Sequence, residues 1–192
     1  MQSFRTFVGI ALPADWSRPV ARLIQRCEAP GDGVRWVPQD NLHLTLKFLG
    51  DVENTEVPAV CDIAANACES VEPFELAIRG GGGIPSNDRP RVLALKLDDP
   101  SERLRKLVQA LELGFAEIGI RQESRDYVPH LTIGRARGGS RRVSQTALDG
   151  FLAAADSVRG EMCVDEVRVV ASFLDKGGAS YQTLDTVAIG RS

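Results

Sequence analysis

Two tetrads hold the residue types that could do chemistry in this chain: His43-Leu44-Thr45-Leu46 and His130-Leu131-Thr132-Ile133. They use the only two histidines in the sequence, and they lie close to half a chain length apart. Read as β-strand, the period of two sets His and Thr on one face. Leu44, Leu46, Leu131 and Ile133 then point the other way, into a core. Two such strands facing one cleft make a symmetric site of two imidazoles and two hydroxyls. Free imidazole titrates near pH 6.5, so one ring can be neutral and the other charged close to neutrality. One ring then takes a proton from a nucleophile while the other gives one to a leaving oxygen. With no nucleophilic side chain beside the pair, the reaction it suits best is in-line attack on a phosphodiester. Thr45 and Thr132 are placed to donate to the nonbridging oxygens.

Other readings of these residues fit less well. A lone histidine is most often an ordinary core or surface residue, but here both occur only in one repeated context. A metal site normally takes three or more protein ligands. No HxxxH or HxH spacing exists, and no third ligand type recurs with the tetrads. A Ser-His-Asp hydrolase needs a strained nucleophile turn such as GxSxG, which is absent. Strand propensity alone accounts for a threonine in each tetrad; its repetition beside His is what points to function.

The elements that must position the tetrads follow from the apolar pattern. Phe4 to Leu12 reads as a buried strand ended by Pro13. Ser17 is a candidate cap for a helix with Pro19 in its first turn, and Val20, Leu23, Ile24 and Cys27 give that helix one face. Gly31-Asp32-Gly33 stops it, and Trp36 to Asn41 leads into the first His-Thr strand, which Gly50-Asp51 ends. A second helix begins near Thr55, with Val57, Val60, Cys61, Ala64 and Cys68 inward. Phe74–Arg79 and Val92–Leu97 read as paired strands joined by the run Gly80 to Pro85. Asp99-Pro100-Ser101-Glu102 reads as a cap, a first-position proline and an acid, opening a third helix. Leu104, Leu107, Val108, Leu111 and Phe115 line that helix, and Gly119 ends it. The second His-Thr strand follows Tyr127-Val128-Pro129. A fourth helix spans about Val143 to Ala155, with Ala147, Leu148, Phe151 and Leu152 inward. Val164–Leu174 and Tyr181–Ile189 flank a hairpin turn at Lys176-Gly177-Gly178. The order βαβαββαβαββ repeats strand, helix, His-Thr strand, helix and strand pair in each half, an internal duplication. It suits an α+β fold of two antiparallel sheets facing each other.

Composition narrows the class. The chain has 192 residues, 43% of them apolar and 26% charged, as in a globular protein. A net charge of -3 argues against a general nucleic-acid coat protein. It leaves room for a local basic loop, for which Arg135, Arg137, Arg141 and Arg142 are the candidates. The four cysteines form no CxxC pair. Cys61 and Cys68 are roughly 10 Å apart along a helix, too far for a disulfide, so all four read as small hydrophobes. No signal peptide and no run of 18 apolar residues is visible, which predicts a cytoplasmic protein without a membrane segment. The glycine run lacks the Gly-Lys-Ser/Thr of a phosphate-binding loop and reads as a tight connection beside the cleft.

These residues resemble the two-histidine (2H) phosphoesterases, and within them the RNA 2′,3′-cyclic phosphodiesterases, also called 2′-5′ RNA ligases. The resemblance rests on Arg35-Trp36-Val37, on Asn41 through Gly50, and on Gly83-Ile84-Pro85 with Arg89-Pro90-Arg91-Val92. It continues in Pro129 through Arg135 and in Ser172, Leu174, Gly178 and Tyr181. It implies a bilobal LigT-like α+β fold with pseudo-twofold symmetry, residues 1–192 forming one such domain. It makes His43 the proton donor to the leaving 3′ oxygen and His130 the acceptor that activates water, leaving a 2′-phosphomonoester. It implies no metal and no cofactor, a 2′-5′ ligase side activity, and RNA ends or nucleoside 2′,3′-cyclic phosphates as substrates of a monomeric protein. Arg135 matches a phosphate-holding arginine, but strict alternation from His130 points it to the wrong face unless a bulge near Gly134 turns it back. Phe48 and Tyr127 flank the tetrads and are candidates for stacking a base, with core packing as the plainer reading. Two further alternatives stay open: an RNA-end binding module without turnover, and a metal-dependent phosphohydrolase.

Overall fold

In a computed structural model, described over residues 2–138, 142–175 and 178–190, the chain runs in the following order. It is β1 (Ser3–Ala11), α1 (Ala14–Cys27), β2 (Val34–Trp36), a 3₁₀ turn (Gln39–Asn41), β3 (His43–Glu53), α2 (Val57–Glu69), β4 (Phe74–Ile84), β5 (Val92–Asp98), α3 (Arg103–Glu117), β6 (His130–Ala136), α4 (Gln145–Ala155), β7 (Glu161–Val164), β8 (Glu166–Asp175) and β9 (Gly178–Ala188). The strands form two antiparallel sheets, ordered β3-β1-β8-β9 and β2-β6-β5-β4-β7. This is the α+β architecture expected, with two short strands, β2 and β7, that the apolar pattern did not separate. Both His-Thr tetrads open strands: β3 edges the first sheet, and β6 runs inside the second between β2 and β5.

One hydrophobic cluster fastens both strands. Leu44, Leu131 and Ile133 are fully buried and Leu46 is 4% exposed, in a core shared with Trp16, Leu23, Phe115 and Phe151. At 25 cal/mol per Å², each such side chain contributes about 1.5–3 kcal/mol of burial, so the apolar face of each tetrad holds the polar face in place.

Several expected boundaries move; β3, for one, runs on through Gly50-Asp51 to Glu53, and β9 begins at Gly178. Helix α1 starts directly after Pro13, whose carbonyl accepts from Ser17 N at 2.9 Å, so Ser17 lies in the first turn and Pro19 in the interior. Helix α3 starts at Arg103, not at Pro100. A turn from Asp99 with Glu102 in left-handed backbone (φ 57°) comes first, and Asp99 Oδ2 caps from a distance by accepting from Leu104 N at 2.9 Å. The largest correction concerns the glycines, because Gly80 to Ile84 is strand, the second half of β4, and not a connection. A Cβ on Gly81 would meet the Phe151 ring of α4 at 2.8 Å, and one on Gly82 would meet Lys96 Cε of β5 at 2.6 Å. Neighbouring side chains lie across this stretch, and only glycine leaves them room. The hairpin residues Lys176 and Gly177, and Arg141 of the basic run, lie outside the described residues.

Candidate active site

The duplication extends to the register of individual residues. On β1, Ala11 faces His43 and Gly9 faces Thr45; on β5, Lys96 faces His130 and Ala94 faces Thr132. Each pairing then skips one residue. Leu46 is left over between Thr45↔Gly9 and Lys47↔Val8, and Ile133 between Thr132↔Ala94 and Gly134↔Leu93. Both strands therefore carry a bulge at the fourth tetrad residue, which resets the alternation. Lys47 and Gly134 turn inward and are buried, while Phe48 and Arg135 come back to the solvent side. The parity objection to Arg135 is thereby removed. Gly134 fits the inward place because a Cβ there would lie 2.7 Å from Val34 and 3.1 Å from the Trp36 ring.

Each imidazole is held in the same way. His43 Nδ1 lies 2.7 Å from the Asn41 carbonyl and His130 Nδ1 2.7 Å from the Val128 carbonyl. A carbonyl only accepts, so Nδ1 carries the hydrogen in both rings and Nε2 is the atom left for chemistry. Asn41 is itself pinned, its amide donating to the Ala179 carbonyl at 2.6 Å. The segment leading into β6 is tied to β3 by the Tyr127 hydroxyl, which donates to the Thr45 carbonyl at 3.0 Å.

Around this symmetric pair the surroundings differ. The ring of Phe7 stacks on His43 at 4.5 Å, and Tyr181 meets it edge-on at 5.1 Å. Burial in this aromatic box, with the positive charge of Arg135 acting the same way, holds His43 below the usual 6.5 despite the opposing Asn41 hydrogen bond. Burial likewise pushes the Tyr181 phenol up from its ordinary 10, against the pull of Arg135 and Arg35, so near neutrality it is an uncharged donor. On the side of His130, a cavity of about 1150 Å³ opens, walled by Gly82 and Lys96 of the second sheet, Val108 of α3 and Tyr127. Where the first lobe has Ala11, Phe7 and Phe48, the second has Lys96, Val92 and Arg135. Lys96 and Arg135 thus stand where the first lobe has alanine and a phenylalanine ring.

His43, Thr45 and Phe48 thus stand on β3, and His130, Thr132 and Arg135 on β6, two strands that lie against each other. Phe48 is 56% exposed, so core packing does not account for it, and its ring lies 6.0 Å from Phe7. Tyr127 differs: its ring packs against the core and its hydroxyl is engaged by Thr45, so it braces the strands. Phe7 and Lys96 escaped the sequence reading of the site, and Arg35 and Tyr181 carried the resemblance without a role, because only long-range strand pairing brings these residues to the tetrads. Among the described residues, no group of three or more His, Cys, Asp or Glu side chains is placed to hold a metal ion. No helix is long and apolar enough to cross a membrane, again among the described residues.

Comparison with known proteins places this geometry among relatives. A family model described as LigT like Phosphoesterase matches the chain twice, over residues 10–94 and 95–181, once for each tetrad. A protein of Methanothermobacter thermautotrophicus named RNA 2′,3′-cyclic phosphodiesterase is 34% identical over 181 residues, covering 94% of this chain and 96% of that protein. One of the same name from Thermotoga maritima is 27% identical, covering 94% and 92%. Among solved structures, E. coli LigT complexed with 3′-AMP is 25% identical and superposes with a TM-score of 0.78, covering 99% of this chain and 100% of that one.

Proposed function

This chain belongs to the LigT like phosphoesterase family, and from that premise we infer that it hydrolyses the 2′,3′-cyclic phosphate ends of RNA to 2′-phosphomonoesters. The observation that carries the reading is the pair of imidazoles anchored alike through Nδ1 on strands of one register. Water enters from the open His130 side, and His130 Nε2 takes its proton as the oxygen attacks phosphorus. His43 Nε2 gives a proton to the departing 3′ oxygen, and the phosphate stays on the 2′ oxygen. Thr45 and Thr132 donate to the nonbridging oxygens, and Arg135 offsets the charge that builds there. Phe48, beside Phe7, offers the terminal base a flat apolar face. Each lobe supplies one histidine, so residues 1–192 act as a single bilobal catalytic unit, and one monomer suffices.

Incubating the protein with an oligoribonucleotide ending in a 2′,3′-cyclic phosphate, with EDTA present, is expected to yield the 2′-phosphate. A bound but unaltered substrate overturns the reading in favour of an end-binding module, and activity abolished by EDTA and restored by a divalent metal overturns it in favour of a metallohydrolase.

The lowered pKa of His43 adds a pH signature. A proton donor works only while charged, so kcat/KM, which reports the free enzyme, is expected to fall as pH rises through a value below 6.5. A bound phosphodiester anion favours the imidazolium, so the same alkaline limb in kcat lies at higher pH. Removing the Arg135 charge raises the His43 pKa, and Arg135→Gln should therefore move the alkaline limb of kcat/KM upward. Movement of the acid limb instead would make His43 the base.

A further inference from the structure

Lys96 is the one cation that the duplicated register puts directly across from a catalytic imidazole, and the reaction as described gives it nothing to do. The equivalent place in the first lobe holds Ala11. Lys96 is exposed, and among the described residues it makes no ion pair. Its side chain does not lean toward His130. The position of a Cβ on Gly82 lies 2.6 Å from Lys96 Cε and 3.5 Å from Nζ, so the chain lies over β4, on the side of β5 away from β6. With two strand spacings between β4 and β6, the ammonium stands roughly 10 Å from the axis of the His130 strand. The ammonium is thus directed away from the strand that carries His130, and with it from the phosphorus held between the imidazoles. It is within the cavity of about 1150 Å³ that His130 shares with the Gly82–Asn87 stretch, which has room for far more than a water molecule. Arg105 and Arg125 line the same cavity; of its acids, Glu112 is engaged by Lys47, while Glu123 and Asp126 stand near Arg125 in the chain.

We propose that Lys96 and the cavity over Gly82 form a subsite for a second, non-reacting phosphate of the substrate, the diester that joins the terminal nucleotide to the one before it. The inference rests on the hydrolase reading above and narrows it: the preferred substrates are RNA chains, not single nucleosides. Gly82 belongs to the subsite, since any side chain there displaces the lysine.

The test compares kcat/KM for a diribonucleotide ending in a 2′,3′-cyclic phosphate with that for a nucleoside 2′,3′-cyclic phosphate, using the full chain at low salt. The wild type is expected to favour the diribonucleotide by roughly three- to tenfold. Lys96→Met should bring that ratio close to one, and Lys96→Arg should keep most of it. In the wild type itself the ratio should shrink as salt rises, because a phosphate contact releases counterions. An equal ratio in the wild type, or a preference that survives Lys96→Met or ignores salt, overturns the subsite while leaving the hydrolase reading intact. A wild type that turns over neither substrate overturns the hydrolase reading, and the subsite with it.

Discussion

Replacing either His43 or His130 with alanine is expected to lower kcat/KM for cyclic phosphate hydrolysis by about 10²- to 10⁴-fold, with the fold unchanged. Both imidazoles are half-buried at the cleft and contribute little to the shared core, so melting temperatures should stay within a few degrees of wild type. The informative variant is the double one. If His130 takes a proton from water as His43 gives one to the 3′ oxygen, the two transfers serve one transition state, and losing the second ring after the first costs little more. Independent roles would instead multiply, and a double loss equal to the product of the single losses would separate the rings into two functions. Full activity in either single variant removes the paired acid and base altogether. Asparagine at either position gives a finer measurement, since its amide can keep a bond to the Asn41 or Val128 carbonyl while losing the titrating nitrogen. A loss as large as that of alanine assigns the effect to proton transfer and not to the shape of the cleft.

The tetrads were legible because their information is local. A period of two needs only neighbouring residues, and Leu44, Leu46, Leu131 and Ile133 are buried as that period requires. The residues that follow them were not legible in the same way. Alternation sends Arg135 to the wrong face; the bulge at Ile133 that returns it is fixed by how β6 pairs with β5, which no local pattern carries. The glycine run misled for the opposite reason. Four glycines in a row read as a turn by their backbone freedom, but Phe151 and Lys96 lie against them, and close approach is what they serve. Phe7 was hidden inside a continuous apolar run, where every residue looks inward. Its ring faces His43, and the sheet is the only thing that says so.

Lys47 carries the second large effect, and its burial also comes from a bulge. It takes the inward place that glycine fills in the other lobe. There it is 2% exposed, its Nζ 2.7 Å from Glu112 Oε2 and 2.7 Å from the Arg121 carbonyl. Glu112 also accepts from Glu123 N at 3.1 Å, so this ion pair fastens to β3 the loop that leads into His130. Lys47→Ala strips the charge partner from a largely buried carboxylate and empties the space of the side chain. Breaking such a pair typically costs about 3–5 kcal/mol, which for a chain of this length lowers Tm by roughly 6–20 °C. Replacing both partners, as Lys47→Met with Glu112→Leu, removes the orphaned charge and should recover much of that loss. Activity should not recover with it. The Arg121 carbonyl and Glu123 amide lose their partners in the double variant, and the segment before His130 is left with the Tyr127 bond to Thr45 as its tie to the His43 strand. A fall in kcat that persists in a thermally restored double variant, with KM little changed, is the signature of a lysine that sets the spacing of the imidazoles. Restoration of both Tm and kcat would reduce it to packing, and a Lys47→Ala variant within about 1 kcal/mol of wild type would show that the pair offsets no more than its own desolvation.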